Sequence, residues 1–186
     1  METKVSVGVS NRHVHLTEET YKLLFDEELT KKNDLNQIGQ FASNQTLTLK
    51  TEKTEIPNVR ILGPFRKYNQ IEISKTDARK FGLNPPVRDS GDVANSEKIT
   101  LVTPKAEITI EGCIIAHRHV HMNTKEAAEL GIKDKQPCTL KVPGIKGGTL
   151  NAVFKVSDDG FFETHIDTDE AAAFALNSGD IIDLEY

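Results

Sequence analysis

Apolar and polar residues alternate over much of the chain. Runs of this kind occupy residues 45–51 (QTLTLKT), 58–63 (NVRILG), 70–74 (QIEIS), 98–103 (KITLVT), 107–116 (EITIEGCIIA), 138–144 (CTLKVPG), 150–156 (LNAVFKV) and 180–186 (DIIDLEY). Side chains of an extended strand point alternately to opposite faces, so this pattern predicts antiparallel strands with one buried face. Many short strands divided by Gly, Pro and Asn turns favour barrels over a doubly wound sheet. Four short helices punctuate them. Thr17 caps the first, whose Tyr21, Leu24, Phe25 and Leu29 make one apolar stripe. Thr76 is expected to cap the next, which ends at Gly82; Asn123 caps another, with Glu126 at the capping-box position and Gly131 at its end. The last starts near Thr168 and stops before the turn at 177–180. Residues 30–45 read as a polar excursion containing a small hairpin.

The order of elements recurs. RHVHLT at 12–17 matches RHVHMN at 118–123 at an offset of 106, which is 119 minus 13. IEISKTDARKFGL (71–83) aligns with THIDTDEAAAFAL (164–176) at an offset of 93, so Ile73, Asp77, Ala78, Phe81 and Leu83 face Ile166, Glu170, Ala171, Phe174 and Leu176. Each half reads as a strand carrying His-x-His, a short helix, several strands, another strand with a polar residue, and a second short helix. The fold expected is therefore mainly β with short α-helices, a duplicated unit.

The duplicated strands carry the chemistry. Alternation points His13 and His15 to one face, and His119 and His121 likewise, so each pair of imidazoles can converge on one ion. Zinc accepts neutral imidazole well, but a catalytic site usually takes three protein ligands and keeps one position open. The repeat supplies the third: Glu72 in the first half aligns with His165 in the second. One set would be His, His and Glu; the other, three His. An isolated His-x-His is a weak metal signal, but five of the six histidines fall at matched places. His117 lies outside the pattern, its counterpart being Asn11, and is taken as a neighbour of the site.

Arg66 precedes Glu72 by six residues in GPFRKYNQIEIS. A guanidinium offers a planar fork suited to phosphate oxygens, and the counterpart of Arg66 is Asp159, so a role shared by both halves does not explain it. VRDSGD at 87–92 adds Ser90 beside a tight Gly91 turn, and the acidic run Asp167, Asp169, Glu170 suits a helix N-terminus.

Composition narrows the rest. A net charge of −5 argues against a nucleic-acid or anionic-membrane surface while leaving room for a local phosphate pocket. No segment nears the ~20 apolar residues that cross a bilayer, and METKVSVGVS lacks the blocks of a signal peptide, so the cytoplasm is the expected address. Cys113 and Cys138 form no CxxC pair, and both read as packed thiols rather than nucleophiles.

Taken together, SNRHVHLT, GPFRKYNQIEIS, VRDSGD, HRHVHM and THIDTDEA resemble the signature blocks of the PduL-type phosphotransacylases, or phosphate propanoyltransferases, over roughly residues 5–186. The resemblance implies two β-barrels capped by short helices, with domains at 12–112 and at 1–11 plus 113–186. It implies two zinc ions, one held by His13, His15 and Glu72 with room for the sulfur of coenzyme A, the other by His119, His121 and His165. Arg66 matches the family's phosphate-binding arginine and Ser90 its active-site serine. The implied reaction interconverts short-chain acyl-CoA (propanoyl or acetyl) plus phosphate with acyl phosphate plus CoA, and a homodimer is implied. Members associated with microcompartments carry an N-terminal extension; only four residues precede the first strand here, which favours free cytoplasm.

Two other readings compete. A metal-dependent hydrolase also fits His-x-His on a first strand, either as an amidohydrolase barrel, for which about 250 residues are usual, or as a cupin using His13, His15 and Glu19. A non-catalytic metal-binding β module would leave Arg66 and the Glu72/His165 asymmetry without purpose.

Overall fold

The computed structural model describes residues 1–186. In chain order its elements are β1 (Glu2–Ser10), β2 (His13–His15), α1 (Glu18–Leu24), β3 (Lys31–Asp34), β4 (Phe41–Lys50), β5 (Glu55–Gly63), β6 (Gln70–Glu72), α2 (Lys75–Phe81) and β7 (Val87–Arg88). There follow β8 (Glu97–Val102), β9 (Glu107–Ala116), β10 (His119–Met122), α3 (Thr124–Leu130), β11 (Pro137–Val142), β12 (Gly148–Val156), β13 (Glu163–Asp167), α4 (Thr168–Phe174) and β14 (Ile181–Glu185). The fold is mainly β with four short helices, as the alternation requires. The chain divides into two compact units, Asn11–Ala116 and Met1–Ser10 with His117–Tyr186.

In the discontinuous unit six strands close a barrel in the order β1-β13-β10-β12-β11-β14. β1 runs parallel to β13, with Gly8 beside His165, and antiparallel to β14, with Glu2 beside Glu185. Its core contains Val7, Val120, Leu140, Phe154 and Leu184, all fully buried. Removing each such side chain from water contributes roughly 1.5–3 kcal/mol. The alternate residues of β10, His119 and His121, are thereby turned away from that core, because Val120 occupies it.

In the continuous unit the sheet order is β3-β4-β5-β2-β6-β9-β7. β8 bonds to both β4 and β9, so the pairings β4-β5-β2-β6-β9-β8 return on themselves. The expected hairpin in 30–45 is present as β3 against β4. Val14, Ile61, Ile71, Leu49, Leu101 and Ile114 are fully buried within it.

Helix ends follow their capping chemistry. Thr17, Asn123 and Asp167 each accept a main-chain N–H of the first turn, and Asp167 with Glu170 completes a capping box. One expectation changes: Ser74, not Thr76, caps α2, its Oγ accepting from Asp77 N. Serine and threonine are equivalent in type here, and only the strand end at Glu72 decides which comes first. Gly82 closes α2 at φ 71°, a left-handed conformation that costs glycine little.

Candidate metal centres

In the continuous unit β2 lies antiparallel to β6 with His13 opposite Glu72, Val14 opposite Ile71 and His15 opposite Gln70. Period-two alternation buries Val14 and Ile71 in the core and gathers the other four side chains on the opposite face. The ligand atoms of His13, His15 and Glu72 lie within 4.8 Å of one another. His13 Nε2 is 3.5 Å from Glu72 Oε2. His13 Nδ1 lies 2.8 Å from the Asn11 carbonyl, which can only accept, so Nδ1 carries the proton and the Nε2 lone pair is left for an ion. Burial disfavours charging His13, but Glu72 outweighs it and the net shift is upward. Burial and then the neighbouring His13 push His15 down to about 3, which keeps it the neutral ring that a metal binds.

The barrel unit holds a second cluster of different chemistry. β10 lies antiparallel to β13 with His119 opposite His165, Val120 opposite Thr164 and His121 opposite Glu163. The ligand atoms of His119, His121 and His165 again lie within 4.8 Å of one another. His119 Nδ1 lies 2.8 Å from the His117 carbonyl, so Nδ1 carries the proton and Nε2 presents its lone pair. That atom is 3.0 Å from His121 Nε2. Two imidazole nitrogens each about 2.0–2.1 Å from one tetrahedral zinc would stand at a similar separation. Both donor sets suit zinc: two His with one carboxylate, and three His, are each sets found with one position left open for substrate or water.

An arginine precedes each histidine pair and grips the helix that follows the third ligand. Arg12 donates through Nε at 2.6 Å and Nη2 at 3.1 Å to the buried Asp77 of α2. Arg118 Nη1 stands 3.0 Å from Glu170 Oε1 in α4. A charge-assisted bond of this kind is worth about 1.5–3 kcal/mol, and here it anchors the end of each ligand-bearing strand.

Arg66 lies close enough for its charge to oppose protonation of both His13 and His15. Its main-chain N–H donates to the Leu16 carbonyl at 2.9 Å, which fixes it beside β2. Its guanidinium donates to Gln40 Oε1 at 3.2 Å and to the Tyr68 hydroxyl at 3.4 Å, both neutral acceptors. Ser90 is one residue removed from the first cluster: its Oγ accepts from Gln70 Nε2 at 3.0 Å. His117 contributes its main-chain carbonyl to His119 Nδ1.

Glu19 of α1 is exposed and stands outside the His13, His15, Glu72 cluster, so the cupin-like trio does not form. Two residues of the site escape the sequence reading: Gln70 and Glu163, which are buried opposite the second histidine of each pair. The signal is present, since each falls two positions before a third ligand and they align at the same offset of 93, which is 163 minus 70.

Neither cysteine is equipped as a nucleophile. Burial pushes the Cys113 thiol up to about 12 and the Cys138 thiol up to about 11. Native protein at neutral pH is expected to resist alkylation at both, with activity unchanged, whereas denatured protein takes up two labels; mass spectrometry after iodoacetamide treatment decides.

The model of the family described as phosphate propanoyltransferase matches residues 6–177. The chain belongs to that family. It is therefore a phosphate acyltransferase, a transferase enzyme. Among curated relatives, the phosphate propanoyltransferase of Thermotoga maritima is 46% identical over 97% of this chain and 89% of its own length. That of Lachnoclostridium phytofermentans is 46% identical over 96% of this chain and 85% of its own. That of Priestia megaterium is 48% identical over 95% and 83%. No helix is long and apolar enough to cross a membrane.

Proposed function

We propose that the chain transfers a short acyl group, propanoyl or acetyl, between coenzyme A and inorganic phosphate, with two zinc ions bound per chain. The observation that carries this reading is the pair of three-ligand clusters, each built on a His-x-His strand in a phosphate propanoyltransferase. His13, His15 and Glu72 hold one ion and His119, His121 and His165 the other. When bound, the ions supply Lewis acidity toward the thioester sulfur and the phosphate oxygens, neutralising charge that develops on both.

In the forward reaction a phosphate oxygen bonds to the thioester carbonyl carbon. The C–S bond then breaks with its electron pair passing to sulfur, giving acyl phosphate and coenzyme A. The chain's own groups position and stabilise the reactants. The Arg66 fork, held by two neutral oxygens, keeps its full charge available to grip phosphate and orient it for attack. Ser90 Oγ is a hydrogen-bond donor for the oxyanion that forms at the carbonyl. The main-chain carbonyls of Asn11 and His117 keep the first imidazole of each pair in the tautomer that offers Nε2. A net charge of −5 and two unpaired buried thiols suit a cytoplasmic setting.

The test is phosphate-dependent release of free thiol from propanoyl-CoA and acetyl-CoA, with acyl phosphate trapped by hydroxylamine. Release is expected to stop on chelation and to return with added zinc. Thiol release that needs no phosphate would make the protein a hydrolase, and turnover indifferent to thorough metal removal would rule out the zinc assignment.

A further inference from the structure

Gln70 and Glu163 occupy corresponding positions in the two units and differ in chemistry in a way that tracks the ligand beside them. Each lies opposite the second histidine of its pair, two residues before the third ligand, and so on the ligand face of its strand. Gln70 is fully buried and Glu163 is 5% exposed. A buried amide and a buried carboxylate need a reason to be there.

The third ligand at the first cluster is a carboxylate, which accepts hydrogen bonds only. Its neighbour is a donor: Gln70 Nε2 donates to Glu72 Oε1 at 2.6 Å and to Ser90 Oγ at 3.0 Å. Gln70 Oε1 accepts from Gly91 N at 2.7 Å, so the amide cannot be turned round without setting its NH2 against that N–H. With Glu72 Oε1 held by Gln70, the oxygen turned to the His13 side is Oε2, 3.5 Å from His13 Nε2. At the second cluster the third ligand is an imidazole, which must place its N–H somewhere. Its neighbour is an acceptor: Glu163 Oε2 lies 2.9 Å from His165 Nε2. That commits Nε2–H to the carboxylate and leaves the Nδ1 lone pair for an ion. β1 makes room for the pair, since a Cβ on Gly8 would come 2.9 Å from both Glu163 Oε2 and His165 Cδ2.

The geometry points to Gln70 and Glu163 as the positioning residues of the two metal centres, each matched to the hydrogen-bonding type of the ligand it orients. This rests on the two-metal reading above. Outer partners of metal ligands commonly change affinity about 10–100-fold when removed.

The experiment measures zinc affinity by competition with a chromophoric chelator, using the full chain. Gln70→Ala and Glu163→Ala are each expected to retain one tight equivalent and to weaken the other about 10–100-fold. In a His119→Ala background, which keeps only the first cluster, Gln70→Ala weakens the remaining equivalent and Glu163→Ala does not. In a His13→Ala background the pattern reverses. Glu163→Gln, which preserves size and an accepting oxygen, recovers much of the lost affinity, whereas Glu163→Leu, of similar bulk with no acceptor, does not; that contrast separates the hydrogen bond from space filling. Thermal melting of the metal-free variants controls for folding, and where an alanine variant melts early the contrast between Glu163→Leu and Glu163→Gln decides: equal zinc affinity in the two overturns the role of Glu163. Wild-type protein that binds no zinc overturns the metal reading itself. Two tight equivalents unaltered by these substitutions, or weakening at the wrong cluster, overturn the positioning roles and leave the metal reading intact.

Discussion

His13→Ala and His119→Ala are each expected to reduce acyl transfer by about 10²–10³-fold or more, the scale of losing one preorganised group that stabilises developing charge. Each removes the nitrogen whose partner atom is fixed by a main-chain carbonyl, Asn11 O for one and His117 O for the other. Neither cluster can replace the other, since they lie on different strands of different units and offer different donors. Metal content should fall from two equivalents to one in either single variant, and to none in the double variant. The double variant should be little slower than the singles, because groups acting on one reaction are not additive. Elemental analysis beside steady-state kinetics checks this. Near-normal turnover in either single variant would mean that only one cluster serves the reaction.

Arg66→Lys is expected to raise the KM for phosphate by about tenfold, or to lower kcat similarly, because lysine keeps the charge but loses the planar fork. Metal content and melting temperature should stay near those of the unaltered protein. The reason lies in its surroundings: Gln40 and Tyr68 hold the guanidinium without neutralising it. The arginines that precede the histidine pairs meet carboxylates instead, Arg12 with Asp77 and Arg118 with Glu170. The KM for acyl-CoA should move much less. Unchanged phosphate kinetics, or a protein that unfolds, would transfer the anion to other groups.

Much of the candidate site is legible in the order of residues along the chain. Alternation alone places His13 with His15 and His119 with His121, and it buries Val14 and Val120 between them. Pairing a third ligand with each needs the internal alignment, since Glu72 and His165 are of different types and neither stands near a histidine pair in sequence. Asn11 is opaque for a physical reason: what His13 takes from it is a carbonyl, which every residue has, while His117, read as a neighbour of the site, gives His119 the same group. Gln70 and Glu163 are obscured because donor and acceptor look like a mismatch until the ligand beside each is known. Ser74 and Thr76 offer equal caps, and the choice depends on where β6 ends. The parallel pairing of β1 with β13 joins residues more than 150 apart in the chain, 163 minus 6 at one register point, and no local pattern announces it.

That last pairing bears on the order in which the protein can form. The residues of Asn11–Ala116 are contiguous and emerge from the ribosome together, so their sheet can assemble while the rest is still being made. The barrel cannot. Its β1 is made before the whole of Asn11–Ala116 and its partners β13 and β14 only after it, with Glu2 pairing with Glu185. Until β13 and β14 have been made, the β1 segment lacks both of its sheet neighbours, and an unpaired strand edge is a template for pairing with another chain. Its sequence, ETKVSVGVS, places a charged residue at each of two of its first three positions, a feature that discourages such pairing. The three-histidine cluster therefore comes together only once His165 of β13 has been made, after the continuous unit is complete.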